Sequence, residues 1–100
     1  MAKWYKTIKA DSFDKSTGVM CGKNKIALFK LDGEVFALDD VCSHEYSLLS
    51  EGMVWKEHVY CPKHGSRFDI KTGRVLDFPA TKNVKKYDVK IEDGYVYVKV

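Results

Sequence analysis

Proline occurs only twice in these 100 residues, and cysteine and histidine only three times each. Three cysteines cannot all pair within one chain, and where thiols are kept reduced such residues more often bind metal than form disulfides. No apolar run approaches the roughly 20 residues that a membrane-spanning helix needs. The opening stretch MAKWYKTIKADSF lacks the apolar core of a secretory signal, so the chain reads as an uncleaved cytoplasmic protein without a membrane partner. Nor does charge of one sign dominate. The net charge is +3, and the densest basic stretch is Lys82-Asn83-Val84-Lys85-Lys86. Nucleic-acid binders concentrate charge on one face or element, so no nucleic-acid partner is expected. A long amphipathic helix is missing too: the candidate segment 45–51 is short and stops at Gly52. The length suffices for one modest core, so residues 1–100 are expected to form a single domain.

What is present is punctuated as an all-β domain is. Ile26–Leu31 and Val35–Leu38 flank Asp32-Gly33, a dipeptide suited to a type I′ turn because both central residues need positive φ. Counting outward sets Phe29 opposite Phe36 and Ala27 opposite Leu38 on one face. The C-terminus repeats the device around Asp93-Gly94. There the register pairs Ile91 with Val96, Val89 with Val98 and Tyr87 with Val100, and sets Asp88 against Lys99 on the outer side. Such a face must pack on something, which predicts an all-β sandwich or barrel of antiparallel strands. Shorter strands are expected at 5–8, 19–21, 54–55, 59–60 and 67–69. Cys21, in one of them, reads as a small buried apolar residue. Trp4 and Trp55 read as packing residues, and His58 as an ordinary surface histidine.

Residues 40–80 depart from this pattern. Gly52, Pro62, Gly65, Gly73 and Pro79 interrupt the alternation, and two of the three cysteines and all three histidines lie here. Irregular segments on a rigid β scaffold are where function tends to sit. Cys42-Ser43-His44 and Cys61-Pro62-Lys63-His64 write C-x-H, sixteen intervening residues, then C-x-x-H. Thiolates and imidazoles suit soft and borderline metals, so Cys42, His44, Cys61 and His64 are the expected ligands of one shared metal site. A tetrahedral zinc could use the same four groups. Zinc fingers, however, usually draw both cysteines from one knuckle and both histidines from another. The mixed loops here favour a dinuclear cluster, with a thiolate from each loop on one metal and an imidazole from each on the other.

With these residues in view, the chain resembles the Rieske [2Fe–2S] proteins, and within them the small ferredoxins of bacterial aromatic-ring hydroxylating dioxygenase systems. The resemblance is carried by Cys42-Ser43-His44 and Cys61-Pro62-Lys63-His64-Gly65-Ser66. It extends to Leu49-Ser50-Glu51-Gly52, to Phe68-Asp69-Ile70-Lys71-Thr72-Gly73 and to Pro79, which matches the family's proline loop. It implies a Rieske-type fold of antiparallel sheets with a cluster-binding subdomain of two loops at about residues 40–80. It also implies one [2Fe–2S] cluster per chain, with Cys42 and Cys61 on the inner iron and His44 and His64 on the outer iron near the surface. Leu49 would shield the cluster from water.

Exchanging two thiolates for neutral imidazoles removes about two negative charges and raises the potential, into a range of roughly −150 to +300 mV. Respiratory Rieske proteins join their loops by a disulfide, at positions matching Ser47 and Lys63 here. They also donate hydrogen bonds to the cluster from a serine, matched by Ser66, and a tyrosine, whose place Phe68 takes. A potential low in the range, slightly lifted by Ser66, is therefore expected.

The function implied is that of a one-electron carrier with no catalytic residue of its own. It would receive electrons from a ferredoxin reductase, a flavoprotein, and pass them to a terminal oxygenase docked transiently near His44 and His64. Glu45, Lys63, Arg67 and Lys71 could steer that docking. Two other readings stay open on sequence grounds: the small subunit of an assimilatory nitrite reductase, and a structural zinc module.

Overall fold

The computed structural model describes residues 2–43, 46–63 and 65–100. Nine strands follow one another along them: β1 (Trp4–Lys9), β2 (Ser16–Cys21), β3 (Asn24–Leu31), β4 (Glu34–Asp39), β5 (Met53–Trp55), β6 (His58–Tyr60), β7 (Arg67–Asp69), β8 (Lys86–Glu92) and β9 (Tyr95–Lys99). Two single turns of 3-10 helix, Ala10–Ser12 and Leu49–Glu51, complete the regular structure there. Six strands form one antiparallel sheet in the order β1-β9-β8-β4-β3-β2, and three form another in the order β5-β6-β7. The edge strands β1 and β2 of the large sheet approach each other, so it curls almost into a barrel. No helix among the described residues is long and apolar enough to cross a membrane.

Turn chemistry sets the registers. Asp32 and Gly33 have φ of 50° and 82°, and Asp93 and Gly94 have 52° and 81°, so both dipeptides take the positive-φ pair that a type I′ turn requires. Phe29 faces Phe36 and Ala27 faces Leu38. In the second hairpin Ile91 faces Val96, Val89 faces Val98 and Asp88 faces Lys99. The expected continuation to Tyr87 and Val100 gives way to other partners. Tyr87 is matched to Ala37 on β4, and Val100 exchanges both backbone hydrogen bonds with Lys3. A strand inside a sheet has two neighbours, and the hairpin pattern alone reveals only one.

The core has two compartments separated by the β3–β4 hairpin. Cys21, Ile26, Leu28, Ala37, Tyr87, Val96 and Val98 fill the barrel. Ala27, Phe29 and Leu38, on the opposite face of the hairpin, pack with Val59, Phe68, Ile70, Ala80 and Val84 beneath the small sheet. Ile26 to Phe29 are consequently all enclosed, which is why the sequence there is a continuous apolar run instead of an alternation. Cys21 is buried as expected. The two tryptophans depart from expectation, since Trp55 is 57% exposed and Trp4 38%. Trp4 lies on the outer face of β1, where its ring meets the Lys90 ammonium at 4.6 Å. Trp55 follows Met53 on the outward side of β5, away from Val54, which packs inward.

Candidate metal centre

Two loops of like construction project from this framework. The first leaves β4 and the second joins β6 to β7. In the first, the Cys42 N–H donates to the Ser47 carbonyl at 2.9 Å; in the second, the Cys61 N–H donates to the Ser66 carbonyl at 2.8 Å. Each loop thus begins at a cysteine, closes on the serine five positions later and contains one of the two expected ligand histidines. Gly65, at φ 76°, returns its N–H to the Cys61 carbonyl at 2.9 Å and tightens the second loop. His44, Glu45 and His64 lie outside the described residues.

The two cysteine side chains are each 4% exposed and belong to one apolar cluster with Leu49, Phe68, Ile70 and Ala80. Among the described residues no disulfide forms. Nor do three metal-ligating side chains gather among them, because only the two cysteines of the expected four fall there. This donor set fits an iron–sulfur cluster. Two buried sulfurs in an apolar pocket would be costly as bare thiolates, and a cationic metal core compensates them. Leu49 is fully buried in the same cluster, in keeping with the water-excluding place the family pattern gives it.

A third segment, residues 75–83, is fastened to both loops. The Ala80 N–H donates to Ser66 Oγ at 2.9 Å, and the Ser43 hydroxyl donates to the Lys82 carbonyl. An accepting hydroxyl keeps its own proton for a second bond, which leaves Ser66 able to donate toward a sulfur. The segment is held at its root by the Val75 N–H donating to Asn83 Oδ1 at 2.9 Å. It includes the cis Phe78–Pro79 peptide and a groove of about 260 Å³ lined by Val75, Leu76, Asp77, Phe78, Ala80 and Thr81. Phe78 is 82% exposed at its rim.

Two of the expected steering charges are already paired. Arg67 Nε lies 2.8 Å from Asp77 Oδ2, and Arg67 Nη2 donates to Asp77 Oδ1 at 3.4 Å. Lys71 Nζ lies 3.4 Å from Glu57 Oε2. Both pairs are open to solvent and cancel much of their own long-range field. His58 sits half-buried on β6 opposite Asp69, outside both loops. Sequence reasoning did not anticipate the buried Asp40 or the serine and asparagine anchors of residues 75–83. Their partners are 8 to 39 positions away, and no local pattern marks them.

A β framework carrying two cysteine-initiated loops around an apolar pocket defines a small metal–sulfur protein. The chain belongs to the Rieske [2Fe–2S] domain family, whose model matches residues 3–88. Its cofactor is a [2Fe–2S] cluster of the Rieske type, which closes the structural-zinc reading. The ferredoxin component of the naphthalene 1,2-dioxygenase/salicylate 5-hydroxylase systems of a Ralstonia species is 40% identical over 83% of this chain and 80% of its own. Among solved structures, the ferredoxin of Sphingomonas yanoikuyae B1 superposes with a TM-score of 0.92 at 33% identity, over 98% of this chain and 99% of that one. The ferredoxin-sized match in a complex of reduced oxygenase and oxidised ferredoxin of carbazole 1,9a-dioxygenase gives 0.88 at 28% identity, over 95% and 91%. A putative NADH-dependent nitrite reductase small subunit from Mycobacterium tuberculosis shares the fold, with a TM-score of 0.87 over 100% and 96%. At 24% identity it speaks to the fold alone.

Proposed function

We propose that this chain is the ferredoxin of an aromatic-ring hydroxylating dioxygenase system, carrying single electrons from a flavoprotein reductase to a terminal oxygenase in the cytoplasm. The observation that carries the reading is the pair of matching cysteine-initiated loops, in a chain that relatives named as dioxygenase ferredoxins match over most of their length. When bound, the cluster supplies reversible one-electron chemistry at a potential set by its ligands and surroundings. Cys42 and Cys61 would hold its inner iron, and His44 and His64 its outer iron.

The remaining residues have separable tasks. Leu49, Phe68 and Ile70 exclude water from the sulfurs. Ser66 holds Ala80 and keeps a proton to offer to the cluster. Phe78, Leu76 and the groove beside them offer an apolar docking surface on a segment tied to both loops. Docking there and at the two cysteine-initiated loops would be small and transient, because a carrier must leave as readily as it arrives. We read residues 40–80 as the cluster-binding part of one domain spanning 1–100.

The test is an EPR spectrum of anaerobically purified protein after dithionite reduction, with iron and sulfide quantified. We expect a rhombic signal from a mixed-ligand cluster and two irons per chain. A colourless protein with one divalent ion ends the redox reading. A reduced cluster that supports no turnover with any oxygenase partner ends the carrier role alone.

A further inference from the structure

We propose that Asp40 is a positioning residue for the cluster, its buried carboxylate fixing the first ligand loop by gripping Ser50 at that loop's far end. The inference rests on the reading of Cys42 and His44 as ligands. Asp40 is the last residue before the loop departs and is only 3% exposed. Its Oδ1 accepts the Ser50 N–H at 2.7 Å, and its Oδ2 accepts the Ser50 hydroxyl at 2.9 Å. Its main chain is engaged as well: the carbonyl accepts the Leu49 N–H at 2.6 Å, and the N–H donates to the Lys25 carbonyl on β3 at 2.9 Å. Above this clamp Val41 bridges to Leu48, and the Cys42 N–H reaches Ser47. The loop is therefore laced from its base upward, and Cys42 stands two residues from the clamp.

The framework reserves space for this arrangement. The Ser16 hydroxyl on β2 donates to the Ser50 carbonyl at 3.1 Å. At Gly18 on the same strand, a Cβ would lie 2.9 Å from Asp40 Oδ2 and 3.1 Å from Ser50 Oγ. A glycine there leaves room for the carboxylate and the serine together. An apolar pair could close the loop with less desolvation, but it would not fix rotation. Two oxygens receiving two donors from one residue set both the separation and the orientation of the loop's ends. Ligands must be held to within about 0.5 Å of productive geometry, so this is the precision the first loop needs.

The holoprotein carries the test, in three variants: Asp40→Ala, Asp40→Asn and Gly18→Ala. The readouts are the rate of cluster bleaching in a chelator, the EPR linewidth of the reduced cluster, and hydrogen exchange of the peptide covering residues 46–52. We expect Asp40→Ala to bleach about tenfold faster or more, with a broadened signal and faster exchange, from the loss of two hydrogen bonds in a buried site. Asp40→Asn should restore wild-type behaviour, because the amide oxygen can accept the Ser50 N–H while its NH2 donates to the hydroxyl. Gly18→Ala, on another strand, should move all three readouts in the same direction as Asp40→Ala.

Wild-type bleaching and exchange in Asp40→Ala would overturn the proposal. So would an Asp40→Asn variant as impaired as Asp40→Ala, since charge and not geometry would then be the cause. If Asp40→Ala fails to fold, Ser50→Ala, which removes one of the two side-chain bonds, decides by the same readouts. If the wild-type protein proves to hold no cluster, the proposed function falls, while exchange at 46–52 still reports whether the clamp exists.

Discussion

Ser66 is almost fully enclosed, and its oxygen is already taken by the Ala80 amide. Replacing it with alanine strands that amide, at a cost of about 1–3 kcal/mol in a buried site. It also removes the hydroxyl proton available to the cluster. Ser66→Ala should therefore melt earlier and show a lower potential by voltammetry. An unchanged potential would confine Ser66 to holding residues 75–83. Tyr87 belongs to the other compartment. Burial first, and its hydrogen bond to Asp39 second, push its phenol far above the ordinary tyrosine value, and burial likewise raises the Cys21 thiol. In both groups the folded state holds the proton more tightly than the unfolded chain does. Their contribution is thus complete below the unfolded values, near 8.5 for the thiol and 10 for the phenol, and is lost as pH climbs past them. Denaturant midpoints measured between about pH 9 and 11.5 should fall for the wild type and fall less steeply for Tyr87→Phe. Equal slopes would refute the assignment.

At the scale of elements, Gly52 joins the 3-10 turn Leu49–Glu51 to β5, and a Cβ there would sit 2.0 Å from the Tyr60 carbonyl oxygen. Its φ of −81° is ordinary, so the constraint is space, not backbone conformation. Gly52→Ala must push β5 off β6 and should cost more than about 2 kcal/mol, within the range for overpacking. Thermal denaturation checks this, and a variant of wild-type stability would mean that the small sheet can shift. The glycine was visible in the sequence as an interruption, but the carbonyl it faces was not. The same division runs through the molecule. Both hairpins were legible because Asp-Gly turns fix register locally. The family was legible in the cysteine–histidine spacing because ligand chemistry restricts residue types. Trp55 was misjudged because hydrophobicity does not reveal which side of a three-residue edge strand meets the core. Asp40 was missed because its partners are assembled only when the loop closes onto β2 and β3.

At the scale of the whole molecule, the barrel interior and the compartment that holds Cys42 and Cys61 share the β3–β4 hairpin. Phe29 is fully enclosed on the side of that hairpin that packs with Cys42 and Cys61, and truncating such a residue costs about 3–5 kcal/mol. Phe29→Ala should therefore lower the temperature at which β-sheet circular dichroism is lost together with that at which visible colour is lost, in one coincident transition. Separation of the two curves would show that the compartments unfold independently. A partition with tenants on both sides has no spare surface. In a saturation screen, consecutive positions from Ile26 to Phe29 should reject polar replacements without exception, whereas along β8 only Tyr87 and Val89 should do so. Tolerance to mutation would then follow the number of rooms a strand must furnish more closely than its distance from the metal.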